Sequence, residues 1–317
     1  MPAWRDLRVS HRSYLLIQVC ALQTPSPETL TIAFQGEPGA YSEQAALEYF
    51  GMQAGAALRT LPCESFDDAF AAIEGGTADF GMLPIENSLA GTIHRNYDLM
   101  LRHSLYIVGE YHLRVRHCLL ALPGVQLEEI KVVHSHPQAL AQCESRLREL
   151  GVRRVAEADT AGSARLVRER GDRQAAALAS ARAAQVYQLA ILRPDMEDDP
   201  SNTTRFLALA RQPAEVADPE TGDYKTTIVF SLHNRPGALF KALSVFALRD
   251  IDLTKLESRP MPPQGVGGQL WEYLFYIDFA GHAQAQACSR ALAHLSELAP
   301  FLRLLGSYPR HRQSRSA

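Results

Sequence analysis

The sequence lacks what a disulfide-stapled, membrane-spanning or nucleic-acid-binding protein needs. Its five cysteines, Cys20, Cys63, Cys118, Cys143 and Cys288, are scattered, odd in number and never in a CxxC pair. That excludes a disulfide framework or a structural zinc site, and the thiols read as reduced and mostly buried. No apolar run approaches the roughly 20 residues that span a bilayer, so no membrane partner is expected. Excess positive charge is missing too. The formal net charge is −3, whereas phosphate binding needs a concentrated basic surface, so no nucleic-acid partner is expected. The turn Gly36-Glu37-Pro38-Gly39-Ala40-Tyr41-Ser42 has neither the GK[ST] ending of a P-loop nor the GxGxxG spacing of a dinucleotide site. No Ser-His-Asp or Cys-His nucleophile set stands out.

What remains is an ordinary globular composition, 46% hydrophobic over 317 residues, enough for two or three units with proper cores. Residues 1–29 stand apart. They hold Arg5, Arg8 and Arg12, an apolar stretch over 14–22, then Thr24-Pro25-Ser26-Pro27, with no A-x-A-like cleavage site. They read as a disordered leader, a targeting segment being the alternative. The expected compartment is accordingly cytoplasmic, or the plastid if the leader is a transit segment.

From residue 31 strands alternate with helices. The pattern predicts strands over 31–35, 79–83, 130–134 and 175–179, two more within 106–122, and helices over 41–50, 66–74, 137–150 and from 159–160 to Gly171. Ser65 with Asp68 makes a capping-box start, Pro137 suits a first helical turn, and Ser180 caps the helix that ends at Tyr187. This order implies an α/β architecture with mainly parallel strands. Residues 211–224 are polar, proline-bearing and aperiodic, which marks a linker. Beyond it the order changes to strand, helix, two strands, helix, strand (226–232, 237–249, 253–259, 269–279, 282–298, 301–308). That βαββαβ order is ferredoxin-like and typical of a small ligand-sensing module. The expected domains are therefore a leader (1–29), an α/β part (30–211), the linker (212–224), the sensing module (225–310) and a tail (311–317).

Polar clusters fall at the carboxyl ends of the expected strands, where open α/β sheets bind ligands. They are the 36–42 turn, Pro84-Ile85-Glu86-Asn87-Ser88, His134-Ser135-His136-Pro137, Asp159-Thr160, and Asn202-Thr203-Thr204-Arg205-Phe206. Singly, each is a turn, a cap or a hydrogen-bonding histidine. Jointly, hydroxyls, an amide, an arginine and helix ends describe a pocket for a small carboxylate.

Taken in order, AFQGEPGAYSEQAA, LPIENSLAGTIHRNYDL, SHPQALAQC, DTAGSA and NTTRF resemble the prephenate dehydratases, with the arogenate dehydratases close behind. The resemblance runs from about residue 31 to about 309. It implies a two-lobed catalytic part similar to a periplasmic binding protein, and a C-terminal ACT domain that senses an amino acid. It further implies a lyase without cofactor that turns prephenate into phenylpyruvate and is inhibited by phenylalanine, arogenate being the alternative substrate. A non-catalytic sensor is the reading from another class, and the intact Thr204-Arg205-Phe206 argues against it. The short leader leaves no room for a chorismate mutase domain, so a single activity is expected.

Within that resemblance Thr204 is the residue at the departing hydroxyl. Arg205 binds a substrate carboxylate, or else pins the two lobes together through an internal ion pair. Ser42, Glu86, Asn87, Ser88, Thr160 and Phe206 are expected to bind the substrate or shape its cleft. Gly237, Ala238 and Leu239, with Glu257, Ser258, Arg259 and Pro260, match the ACT effector motifs. Asp252 departs from the asparagine of many relatives. A phenylalanine site between ACT domains requires a homodimer or homotetramer, and truncation at the linker is expected to abolish inhibition.

Overall fold

The computed structural model describes residues 29–52, 57–260 and 273–311. The leader (apart from Thr29), nearly all of the proline- and glycine-rich 260–268 hairpin and most of the tail lie outside them. Three sheets organise the described chain. The first has the order β2 (Ala57–Cys63), β1 (Thr29–Gln35), β3 (Phe80–Asn87), β11 (Thr203–Ala210), β5 (Tyr106–Arg114), with a two-residue β4 (Gly91–Thr92) on β3. Helices α1 (Tyr41–Gly51), α2 (Phe66–Glu74) and α3 (His94–Arg102) accompany it. The second has the order β10 (Ala190–Arg193), β6 (Cys118–Ala121), β9 (Ala175–Ala179), β7 (Val132–Ser135), β8 (Arg153–Ala156). Its helices are α4 (Pro137–Gln142), α5 (Glu144–Glu149), α6 (Thr160–Arg170) and α7 (Ala181–Tyr187).

Local chemistry explains many of these boundaries. Ser65 and Asp68 form the expected reciprocal cap of α2, and Gly76 after it takes φ +78°. Asp159 caps α6 through Gly162 N–H at 2.6 Å, and Gly171 ends that helix in the left-handed region. Four expectations change. The helix over 137–150 breaks at Cys143 into α4 and α5. Strand β3 runs on through Pro84, which is tolerated because the β11 register slips beside it, between Arg205 and Phe206. Strands β2, β8 and β10 are further elements; β2 and β8, with no clean alternation of burial, carried no period to detect. Finally, the sheets are mixed rather than mainly parallel. β11 lies antiparallel between β3 and β5, because it returns from the second lobe.

The chain crosses between the lobes twice, after β5 and before β11. The passages are bound together: Val115 N–H donates to Asn202 O, and Met196 N–H to His117 O, both at 2.8 Å. β3, β11 and the two crossings therefore meet where the first two sheets join.

The third sheet has the order β13 (Leu253–Pro260), β14 (Tyr273–Ala280), β12 (Tyr224–Ser231), β15 (Phe301–Pro309), all antiparallel, with α8 (Ala238–Ala247) and α9 (Gln286–Leu298). This is the expected ferredoxin-like order. One face packs Ile228, Phe230, Ile277 and Phe279 against the helices. The other face is not free. Val229, Leu274, Tyr276, Leu305 and Tyr308 share a core with Tyr97, Leu105 and Ile107 of the first lobe. Each fully buried large apolar side chain contributes about 1.5–3 kcal/mol. Gly306 allows the approach, since a Cβ there would lie 2.1 Å from the Ile107 carbonyl oxygen.

Candidate active site

Strands β3 and β11 place Asn87 directly opposite Thr204. The Asn87 amide orients the site. Its Oδ1 accepts from the backbone N–H groups of Leu89 (3.0 Å) and Ala90 (2.9 Å). Its Nδ2 therefore faces the other way and donates to Thr204 Oγ1 (2.9 Å) and Asn202 Oδ1 (2.8 Å). Since Asn202 accepts there, its own Nδ2 donates to Gln142 Oε1 (3.0 Å). His117 Nε2, 3.0 Å from that same oxygen, must then carry a proton. Burial pushes the His117 imidazole below its ordinary range, against the Gln142 hydrogen bond and the Glu197 charge. In its neutral form Nδ1 accepts from Tyr41 Oη at 2.8 Å, sharing that proton with the Arg116 carbonyl oxygen at 2.9 Å. The chain of bonds reaches from α1 through both crossings to β11. Its outcome is local: Thr204 Oγ1 already accepts a proton, so its own O–H is available to a ligand.

The rest of the expected site divides by strand alternation. Thr204 and Phe206 share a face, where Phe206 packs with Ile32, Ala46 and Met82 against α1. Arg205 points to the opposite face, which corrects its expected place beside the substrate. Its guanidinium is buried against Glu110 Oε2 (Nε, 2.8 Å), Asp278 Oδ2 (Nη1, 2.6 Å) and Tyr308 Oη (Nη2, 3.0 Å). The internal ion pair is the alternative that the structure realises, although it joins the first lobe to the C-terminal sheet and not lobe to lobe. Glu86 goes the same way, bonded to Lys255 and 3.4 Å from Arg205. Burial raises its carboxyl pKa, but the Lys255 bond and the Arg205 charge pull it net below the ordinary value. A lowered carboxyl is an anion at neutral pH and not an acid catalyst.

Ser88 is exposed and serves the backbone, accepting from Thr203 N–H (3.0 Å) and donating to Ser201 O (3.2 Å). Ser42 and Thr160 stand in the first turns of α1 and α6, and neither hydroxyl has a partner among the described residues. Those helices carry the rim. Arg165 grips Glu37 with Nε and Nη2 (2.6 and 2.8 Å), and Ser180 Oγ donates to Gly39 O (2.6 Å). The two motif histidines have other work: His134 Nδ1 bonds Glu157 (2.8 Å), and His136 caps α4. Tyr41, His117, Gln142 and Asn202 had no role assigned from the sequence. Tyr41, Gln142 and Asn202 lie inside quoted motifs, but His117 lies outside all of them and gave no local signal.

In the C-terminal module a pocket is lined by Leu232, His233, Asn234, Arg235, Ala238, Leu239, Tyr273 and Phe275. Ala238 and Leu239 of the expected effector motif line it, with Gly237 adjoining at φ +78°. The second motif faces elsewhere. Glu257 accepts from Thr92 (3.0 Å) and Arg259 donates to Asp98 (3.0 Å), both on the first lobe, while Ser258 and Pro260 are exposed on the outer side of β13.

Comparison with known proteins follows this division of the chain. The family model described as prephenate dehydratase matches residues 32–214, and that described as ACT domain matches 226–288. A chloroplastic arogenate dehydratase/prephenate dehydratase 2 of Arabidopsis thaliana is 52% identical, over 88% of this chain and 72% of its own. Arogenate dehydratase 2 of Petunia hybrida is 50% identical, with shares of 88% and 72%. Among solved structures, a prephenate dehydratase from Arthrobacter aurescens in complex with L-Phe is 34% identical. It covers 89% of this chain and 90% of its own, with a TM-score of 0.77. A structure described as a novel type of quorum quenching acylase is 42% identical, with shares of 89% and 98% and a TM-score of 0.79. The chain belongs to the prephenate dehydratase family, lyases that dehydrate and decarboxylate prephenate.

Proposed function

We propose that the chain converts arogenate to phenylalanine by decarboxylating dehydration, with prephenate as a second, poorer substrate. The names of the half-identical plant relatives support arogenate over the prephenate expected from the motifs. In either substrate the electron pair of the breaking C–CO2 bond enters the ring and expels the ring hydroxyl, which leaves as water after taking a proton. Aromatisation drives the step, so the protein must orient the ring and ease the departure. The observation that carries the reading is the direction of the Thr204 hydroxyl: Asn87 donates to its oxygen, which leaves the proton for the departing group. Ser42 and Thr160, at helix starts and with hydroxyls unpartnered among the described residues, fit the substrate carboxylates. Steady-state kcat/KM on both purified substrates tests this. Arogenate should exceed prephenate by about tenfold or more, a gap that one substrate-discriminating hydrogen bond supplies. Equal or reversed values would return the assignment to prephenate, and no turnover of either would end it.

L-phenylalanine is the proposed effector at the α8 pocket, supported by the L-Phe complex of the Arthrobacter relative. Phe240 and Leu248, both 76% exposed on or beside α8, support a homo-oligomer in which a second copy covers this side. Sedimentation at micromolar concentration tests it, and a strictly monomeric chain would refute it. For the compartment, the relatives' chloroplastic names support the plastid alternative, and the cytoplasmic expectation gains nothing from them. A fluorescent fusion to residues 1–29 decides between them. The acylase description belongs to the 42% identical structure. Among the described residues no serine, threonine or cysteine side chain is hydrogen-bonded to a histidine, as an activated nucleophile would be.

A further inference from the structure

The face of the first sheet opposite Thr204 carries a group of buried and partly buried charges. Arg205, Lys225 and Lys255 meet Glu110, Asp278 and Glu86, and Glu257 lies 3.9 Å from Lys255. Lys225, Lys255 and Asp278 come from the C-terminal sheet; Arg205, Glu110 and Glu86 come from the first lobe. Asp278 is held at both carboxylate oxygens. Its Oδ2 accepts from Arg205 at 2.6 Å, and its Oδ1 from Thr227 Oγ1 at 2.7 Å. Tyr308 closes the ring, 3.0 Å from Arg205 and 2.8 Å from Thr227.

Two strands tie this joint to the α8 pocket. Strand β14 lines the pocket with Tyr273 and Phe275 and, three residues on, presents Asp278 to Arg205 from its other face. Strand β12 ends at the pocket beside Leu232 and carries Lys225 and Thr227 into the joint. On the far side, Arg205 is the residue next to Thr204 in β11, and Glu86 is the residue next to Asn87 in β3. A shift of β14 therefore meets the catalytic hydroxyl through one side chain and one peptide bond.

We propose that Asp278, though carried by the C-terminal module, is a positioning residue of the active site. It holds Arg205, and with it the register of β11 at Thr204, and it is the grip through which an occupied α8 pocket weakens catalysis. The second half rests on the reading of that pocket as the phenylalanine site; the first does not. Hydrogen-bonded charges on packed strands give a contiguous physical route between the two sites.

The test uses the full-length chain and Asp278→Asn. Turnover is measured with and without saturating L-phenylalanine, and L-phenylalanine binding is followed by calorimetry without substrate. The expected variant loses about fivefold or more in kcat with KM changed less than about twofold, because the lost contact acts on the reacting state. Its L-phenylalanine Kd stays within about threefold of wild type, while the inhibition factor, typically about 5–150-fold for such coupling, collapses towards 1. Loss of coupling with binding retained is a result that a merely structural role does not produce. Wild-type kcat together with wild-type inhibition in Asp278→Asn would overturn the proposal. If wild type itself binds no L-phenylalanine, the pocket reading fails and the regulatory half with it, and kcat alone judges the positioning half. Should Asp278→Asn lose its cooperative unfolding transition, Tyr308→Phe carries the test. It removes one hydroxyl from Arg205, is expected to shift kcat and inhibition in the same direction, and refutes the grip if both are unchanged.

Discussion

At the residue scale, the site depends on which way two amides point. Two backbone N–H groups, of Leu89 and Ala90, hold Asn87 Oδ1 and so turn Nδ2 to the threonine. Thr204→Ser keeps the hydroxyl and is expected to retain most of kcat. Thr204→Ala removes the donor and should lose about 10²–10³-fold with unfolding temperature nearly unchanged. Equal turnover of Thr204→Ala and wild type would take Thr204 out of the mechanism. Asn87→Asp is the sharper probe, being nearly isosteric. A carboxylate still accepts from Leu89 and Ala90 but cannot donate, so the Thr204 proton turns towards it and away from the substrate. The expected cost is again about 10²-fold in kcat. An active Asn87→Asp enzyme would show that the hydroxyl's direction is irrelevant.

At the scale of elements, two contacts at the rim differ in kind. Arg165–Glu37 is a partly exposed ion pair, and such pairs contribute only about 0.2–1 kcal/mol. Arg165→Ala should therefore move KM by no more than about fivefold. Gly39 is steric. A Cβ there would sit 2.7 Å from the Ala183 Cα, at φ +93°, so Gly39→Ala cannot let the lobes meet as they do. It should lower kcat by more than Arg165→Ala does, and the opposite ranking would show that closure does not limit turnover. Behind the site, Glu110 supplies a pH dependence. Burial raises its carboxyl pKa, but His112, 3.9 Å away, and the charges of Arg205 and Lys225 bring it net far below the ordinary glutamate value. With the folded value below the unfolded one of about 4.3, its contribution is complete above that pH and is lost as pH falls below it. Denaturant stability should drop between about pH 5 and 3, and Glu110→Gln should flatten that slope while costing about 3–5 kcal/mol at neutral pH. An unchanged slope would remove Glu110 from the acid transition.

At the scale of the whole molecule, the C-terminal module forms the back wall of the catalytic sheet. Ending the chain at the linker would strip Arg205 of Asp278 and Tyr308 and uncover the apolar core around Leu105 and Ile107. Truncation should therefore do more than abolish inhibition. The fragment is expected to unfold at lower temperature and turn over more slowly than the full chain, as measured by calorimetry and kcat. A fragment with full-chain kcat would show that the two parts are energetically separate.

Local physics was enough for much of this. The capping box at Ser65, the glycine stops, the proline start of α4 and the βαββαβ order depend on neighbours within a few residues, so they are legible in the chain itself. The motif order was enough for the family. Other features are set only by pairing across long separations. Arg205 and Glu86 sit in motifs that read as substrate contacts, yet strand alternation turns them to a face whose partners, Asp278 and Lys255, lie 73 and 169 residues away. His117 shows no local pattern because its partners come from α1, α4 and the second crossing. A sequence states which groups are available; which face of a sheet each one leaves from, and what waits there, is decided when the strands pair.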